Sequence, residues 1–240
     1  RNKIRETVKD PKTAELLCPD NHPIGTKRLI LDSQYYEIFN EDHVELVDVK
    51  SAPITEITET GIRTTDRHYE LDAIAFATGF DAMTGAMREI DIKVKDGPSL
   101  DEQWEAGPRT YLGLMVAGLP NLFMITGPQS PGVKSQMILS IEWHVDWIAN
   151  CLQYMKDNEF NRIEATLDAQ ENWVKHVKEV ADSTLYPLAN SWYMGVNIPG
   201  KPKVFMPYVG GVHTYTKECE RVVANGYEGF VMSKEEAHIP

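Results

Sequence analysis

Apolar residues recur along this chain with two periods, and each period marks a kind of element. Ile138, Ile141, Val145, Ile148, Leu152 and Met155 follow one another in steps of three and four. That spacing predicts a long helix with one apolar face, laid on something flat such as a sheet. A second helix is predicted from about Leu167 to Leu185, capped by Thr166. Trp173, Val177, Val180 and Thr184 or Leu185 face inward on it. A third runs from about His213 to Asn225 and stops at Gly226. Residues 1–20 read as a polar helix halted near Pro11, then a turn through Pro19-Asp20. Tyr35 to Phe39 reads as an aromatic helical turn.

Alternating and short apolar runs predict strands. Lys27–Asp32 and Val44–Asp48 are two of them. Ile54–Thr58, Gly61–Thr65 and His68–Leu71 form a small meander with turns at Glu59-Thr60-Gly61 and Asp66-Arg67. Lys203–Tyr208 is a strand broken by Pro207, and Tyr227–Met232 closes the chain. Ile74–Thr78 and Asn121–Thr126 are apolar enough to be buried strands. Each ends in a similar turn, Thr78-Gly79-Phe80 and Thr126-Gly127-Pro128. Glycine at such a point lets backbone approach another group closely. Strands, turns and long helices in this order predict an α/β nucleotide-binding fold.

Composition narrows the function. The 240 residues are 42% hydrophobic, enough for a real core, and the net charge is -12. A nucleic-acid binder usually carries the opposite sign, so that class is disfavoured. Cys18, Cys151 and Cys219 are far apart and offer no zinc spacing, which fits reduced thiols in a cytoplasmic protein. No run of 18 apolar residues predicts a membrane span, and no signal peptide is visible. The seven histidines form no ligand set. His144 lies near Asp146 without a third partner, and Gly-x-Ser-x-Gly is absent, which argues against a hydrolase. The opening Arg1-Asn-Lys-Ile-Arg reads as the middle of an uncapped helix, so a fragment of a longer chain is expected.

Further motifs are Gly25-Thr-Lys-Arg28, Gly107-Pro-Arg-Thr-Tyr-Leu-Gly113 and Asn190-Ser-Trp-Tyr-Met-Gly-Val-Asn-Ile-Pro-Gly-Lys-Pro202. With the two Thr-Gly turns, in this order and spacing, they resemble the C-terminal part of a Baeyer–Villiger monooxygenase. The motifs are similar to those of the phenylacetone and steroid monooxygenase type, and the resemblance runs from about Lys12 to Val231. It implies a flavoprotein with two Rossmann-like dinucleotide-binding domains whose N-terminal half is absent here. No GxGxxG turn occurs in the chain. By the same analogy, residues 1–23 end a helical insertion, 24–76 complete the NADP-binding domain and 77–240 complete the FAD-binding domain.

The implied reaction inserts one oxygen of O₂ beside a ketone carbonyl, giving an ester or lactone, with FAD and NADPH as cofactors. Arg28 falls where the family has its active-site arginine, which stabilises a C4a-peroxyflavin and then the oxyanion of the adduct. The always-charged, forked guanidinium suits both tasks. Lys27 would face the NADP 2′-phosphate, and Trp192 the NADP ribose, with Asn197 shaping its loop. Thr78, Gly79, Phe80 and Gly127 would lie at the flavin. Met137 would present the N-terminus of the long helix to the flavin pyrimidine edge, where negative charge builds on reduction. Gly132, Val133, Lys134 and Met137 would line the substrate pocket. A cation there is unusual in such an apolar pocket, so the ketone and its regiochemistry stay open, as does the oligomeric state. Two other readings are a related flavin monooxygenase acting on nitrogen or sulfur, and an inactive remnant lacking the FAD-binding glycine turn.

Overall fold

The computed structural model describes residues 1–94 and 97–235. The chain separates into two compact units. One comprises residues 1–22 and 29–79, and the other residues 23–28 with the chain from Phe80 onward.

The first unit opens with two short helices, α1 (Asn2–Thr7) and α2 (Pro11–Leu17). Pro11 was expected to end a helix; it begins one. The Asp10 carboxylate accepts the Thr13 amide proton at 2.8 Å, and proline at the first helical position loses no hydrogen bond. Ile4, Val8, Ala14 and Cys18 form a small core beneath these helices, with Tyr36 and Phe39 packed on it. The aromatic turn is one turn of 3₁₀ helix over Glu37–Asn40.

The meander forms as the alternation predicts: β1 (Ile54–Thr58), β2 (Gly61–Thr64) and β3 (His68–Glu70), all antiparallel. Gly61 is required at its turn, because a Cβ there would sit 1.9 Å from the Tyr69 carbonyl oxygen.

Three predicted strands of this region do not form. Lys27–Asp32, Val44–Asp48 and Ile74–Thr78 are irregular and unpaired. Ile74–Thr78 was expected to be buried, yet Phe76 is 69% exposed, as are Leu29, Ile30 and Leu31 to a similar or greater degree. A strand needs a ladder partner, and none of the described residues supplies one to these segments.

The second unit continues with two short helices, α3 (Gly85–Arg88) and α4 (Leu100–Gln103). A Ser99–Glu102 capping box starts α4. Next come α5 (Met137–Asp157), β4 (Arg162–Ala165), α6 (Leu167–Asp182), α7 (Val212–Ala224) and β5 (Phe230–Ser233). β4 and β5 pair antiparallel, with Ile163 opposite Met232. The Thr166 cap of α6 is present, its hydroxyl accepting the Ala169 amide proton at 3.2 Å. Asn121–Thr126 is irregular rather than a strand: the Asn121 and Met124 amides donate to Ile163 and Leu114 instead of forming a ladder. Lys203–Tyr208 is likewise not a strand; one bridge joins Tyr208 to Pro131.

The main core gathers Leu112, Leu114, Met115, Trp147, Cys151, Ile163, Trp173, Val177, Tyr215, Cys219 and Val222. The face of α5 that enters it is only in part the predicted one: Ile148 and Met155 turn to the core as expected. Ser140, His144, Trp147, Cys151 and Met155 are buried, whereas Ile138, Ile141, Val145 and Leu152 are exposed. The helix therefore has two apolar faces, and only one is covered by the described residues.

Cys151 and Cys219 are fully buried. Burial pushes the Cys151 thiol up to about 12 and the Cys219 thiol further still. A thiolate is the reactive form. Neither residue should be labelled by iodoacetamide at pH 8 in the folded chain, and both should be in denaturant; peptide mapping by mass spectrometry checks this.

Candidate functional site

The scaffold of the second unit explains several glycine motifs before any ligand is invoked. Gly113 and Gly127 meet face to face: a Cβ on Gly127 would lie 2.5 Å from the Gly113 carbonyl, and one on Gly113 would lie 2.8 Å from the Ser130 amide nitrogen. The buried Thr110 amide donates to Gln129 Oε1 at 2.9 Å, and its hydroxyl donates to the Pro128 carbonyl at 2.9 Å. The Gly107–Gly113 motif thus braces the Thr126-Gly127-Pro128 turn. Gly127 is buried there.

His144 supports the same turn from beneath. The Thr126 amide donates to its Nδ1 at 2.8 Å. The Tyr215 hydroxyl donates to the Leu112 carbonyl at 2.6 Å, so its oxygen is free to accept from His144 Nε2–H at 2.9 Å. The three bonds fix a neutral imidazole with its proton on Nε2. Burial pushes this histidine down to about 4, and burial raises Tyr215 far above the ordinary phenol range. In sequence His144 neighbours Asp146; its hydrogen bonds go instead to Thr126 and Tyr215.

Other predicted residues fall into three clusters. The first comprises Lys27, Arg28 and the Trp192 loop, which belong to one unit. Lys27 and Arg28 are exposed, and neither enters an ion pair among the described residues. Tyr193, beside half-buried Trp192, is raised by burial and by neighbouring Tyr186, while the Arg28 charge opposes that rise. The Arg28 charge thus acts on Tyr193 of this loop, and no carboxylate among the described residues pairs with it.

The second cluster surrounds the start of α5. A Cβ on Gly132 would lie 3.6 Å from Met83 Cε, 3.7 Å from Met137 Sδ and 4.0 Å from Pro207 Cβ. Gly132 and Met137 are thus brought together on an apolar surface, with Val133 half-buried and Lys134 exposed. Gln136 caps the helix, its side-chain oxygen accepting the Ile138 amide proton at 2.7 Å. The other amides of the first turn keep no intrahelical acceptor. That end of a 21-residue helix suits an anionic edge of a bound ring.

The third cluster is the turn at Phe80. Gly79 adopts φ +88°, and nothing lies within 4 Å of a Cβ placed on it. Thr78 is exposed and Phe80 is 88% exposed. The Phe80 carbonyl accepts from Asn197 Nδ2 at 2.9 Å, so the Trp192 loop reaches this turn. An open, left-handed glycine and an exposed phenyl ring suit the flat face of a large cofactor.

Sequence reading did not find Met83, Tyr193, Lys201 or the His144–Tyr215 pair. Each acts through a contact distant in sequence, with no local spacing to betray it. A cavity of about 730 Å³ between α6 and α7 contains none of the predicted residues, and Glu218 and Glu228 already neutralise its Arg221. Among the described residues, no group of histidines, cysteines and carboxylates is placed to hold a metal, and no helix is long and apolar enough to cross a membrane.

No family model matches the chain. Individual proteins do. Cyclopentanone 1,2-monooxygenase of Comamonas sp. (strain NCIMB 9872) is 44% identical over 235 residues, which is 97% of this chain and 43% of that protein. A Baeyer-Villiger monooxygenase of Pseudooceanicola batsensis is 40% identical over 98% of this chain and 42% of its own length. Phenazine N-monooxygenase PhzNO1 of Lysobacter antibioticus is 38% identical over 97% of this chain and 42% of its own length. Among solved structures, oxidized steroid monooxygenase bound to NADP superposes with a TM-score of 0.88 at 48% identity, over 98% of this chain and 44% of that one. The chain thus spans less than half the length of the relatives it matches. Its α/β elements are those of a portion of a flavoprotein monooxygenase with two dinucleotide-binding domains.

Proposed function

We infer that this chain, homologous over 97% of its length to Baeyer–Villiger monooxygenases, is the C-terminal portion of an FAD- and NADPH-dependent enzyme of that kind. The complete enzyme would convert a ketone and O₂ to an ester or lactone. The similarity over 97% of the chain carries this reading, and Arg28, exposed and in no ion pair among the described residues, is the cation it puts to use. A cation free of acidic partners is available to a developing oxyanion.

When bound, FAD supplies the reduced ring that activates O₂, and NADPH supplies the hydride. This chain's residues would bind and orient. The first-turn amides of α5, beginning at Met137, would face the anionic edge of the flavin. Gly79 and Phe80 would lie along it. The buried Gly127 would act by shape, fixing its turn against Gly113. Lys27 would meet the 2′-phosphate as a point charge, and Trp192 the ribose. Gly132, Val133, Lys134 and Met137, with Met83 added by the structure, would bound the ketone. Arg28 would hold negative charge on the attacking oxygen and then on the former carbonyl oxygen, without moving a proton. Residues 24–76 would complete an NADP-binding domain and 77–240 an FAD-binding domain, and the buried thiols fit a cytoplasmic protein.

The test restores the length its relatives have. The extended protein is expected to be yellow and to oxidise NADPH faster with a ketone, with the ester identified by mass spectrometry. A protein that stays colourless after saturation with FAD would overturn the reading. The 240 residues alone, which carry no GxGxxG turn, should retain no stoichiometric FAD in equilibrium dialysis.

The phenazine N-monooxygenase among the relatives favours a second reading, oxygen transfer to nitrogen. Offering the extended protein an N-heteroaromatic and a ketone together separates the two: N-oxide without ester would select it.

A further inference from the structure

The Trp192 loop is tied to the Phe80 turn at two points within the second unit. Asn197 Nδ2 donates to the Phe80 carbonyl at 2.9 Å. Four residues further on, the Lys201 ammonium pairs with the Asp81 carboxylate and also donates to the Ala82 carbonyl at 3.0 Å. This lysine is unlike the other paired lysines of the chain. Its side chain is 4% exposed, whereas those of Lys93, Lys175, Lys178 and Lys234 are 65–75% exposed. A buried ammonium is stable only while its partners remain, so the pair favours one loop position.

The segment is packed at its first glycine, where a Cβ on Gly195 would lie 2.5 Å from Met206 Cε and 3.1 Å from the Pro202 carbonyl oxygen. Gly195 and Gly200 both have positive φ, +72° and +79°, and a Cβ on Gly200 would touch nothing. Residues 197, 199 and 200 are exposed, whereas Tyr193 and Met194, before Gly195, are buried. The loop is thus anchored at its start and held at its end by Lys201.

We propose that Lys201 and Asp81 form a latch that holds the Trp192 loop against the Phe80 turn and so retains the nicotinamide dinucleotide. They are positioning residues. Neither touches the reacting atoms; together they set how long the loop stays closed. The proposal rests on the reading of the site given above. It joins two segments, one assigned to flavin and one to NADP, into a single mechanical element.

The experiment uses the extended, FAD-loaded protein and the substitutions Lys201→Met, Lys201→Arg and the charge exchange Asp81→Lys with Lys201→Asp. Lys201→Met should raise hydrogen exchange of residues 196–203 about tenfold, weaken NADP⁺ binding about tenfold and raise the KM for NADPH more than it lowers kcat. FAD content and melting temperature serve as controls for folding. Lys201→Arg should recover most of both effects, as should the charge exchange. Unchanged loop exchange in a folded Lys201→Met protein overturns the latch. Raised exchange with unchanged NADP⁺ affinity overturns its role in retention. A wild-type protein that binds FAD but no NADP⁺ overturns the proposal together with the NADP assignment, and it leaves the flavin reading standing.

Discussion

Replacing Arg28 with alanine in the complete, flavin-loaded protein is expected to lower ester formation by about 10²–10³-fold, the usual cost of losing a preorganised oxyanion donor. NADPH oxidation should persist, with the electrons released as hydrogen peroxide instead of ester. Arg28 is exposed and meets no carboxylate among the described residues, so its charge is not spent on the scaffold. It belongs to the same compact unit as the Trp192 loop, and its charge acts on Tyr193. Arg28→Lys should fall between, because an ammonium keeps the charge and loses the fork. Product analysis by gas chromatography alongside a peroxide assay reads both numbers. Ester formation within threefold of wild type in Arg28→Ala would falsify the assignment.

Some elements were legible from residues alone because their stability is local. The meander announces itself by alternation and by Gly61, and α6 by its Thr166 cap. The end of α7 is set by Gly226 at φ +69°. Other elements were misread for a common reason. The apolar run ending at Thr78 and the stripe Ile138, Ile141, Val145, Leu152 state what a segment is able to bury. They do not state whether a partner lies in the same stretch of chain. The other face of α5 was missed because it mixes Ser140 and His144 with Trp147 and Cys151, and its polar members are buried through hydrogen bonds that no periodicity records. Sequence named the segments of the candidate site through their motifs. The ties between them escaped it: Asp81 and Lys201 meet across 120 positions, and nothing in either motif names the other.

The second large effect concerns His144 and acid. Its native imidazole is held neutral, with its charged form pushed down to about 4 by burial, against about 6.5 in an unfolded chain. Above pH 6.5 neither state binds the proton, and the stabilisation is complete. As pH falls below 6.5 the unfolded chain takes up a proton that the native chain refuses, so stability drops until the native group also titrates near 4. The loss approaches about 3 kcal/mol at the bottom of that window. Carboxylates held low by hydrogen bonds or ion pairs, such as Asp10, Asp101 and Glu228, act in the same direction but only as pH falls through their own range, near 4 and below. The interval from pH 6.5 to 5 therefore isolates the histidine. His144→Gln removes the titration and leaves an amide able to accept from Thr126. It should cost about 1–3 kcal/mol at pH 8, the range for a disturbed buried hydrogen bond, and flatten the curve between pH 6.5 and 5. Urea unfolding of both chains across this interval measures it. Parallel curves would show that another group titrates. Divergent curves would show that the Thr126-Gly127 turn rests on a base that must stay neutral, which places an acid limit on any function that turn serves.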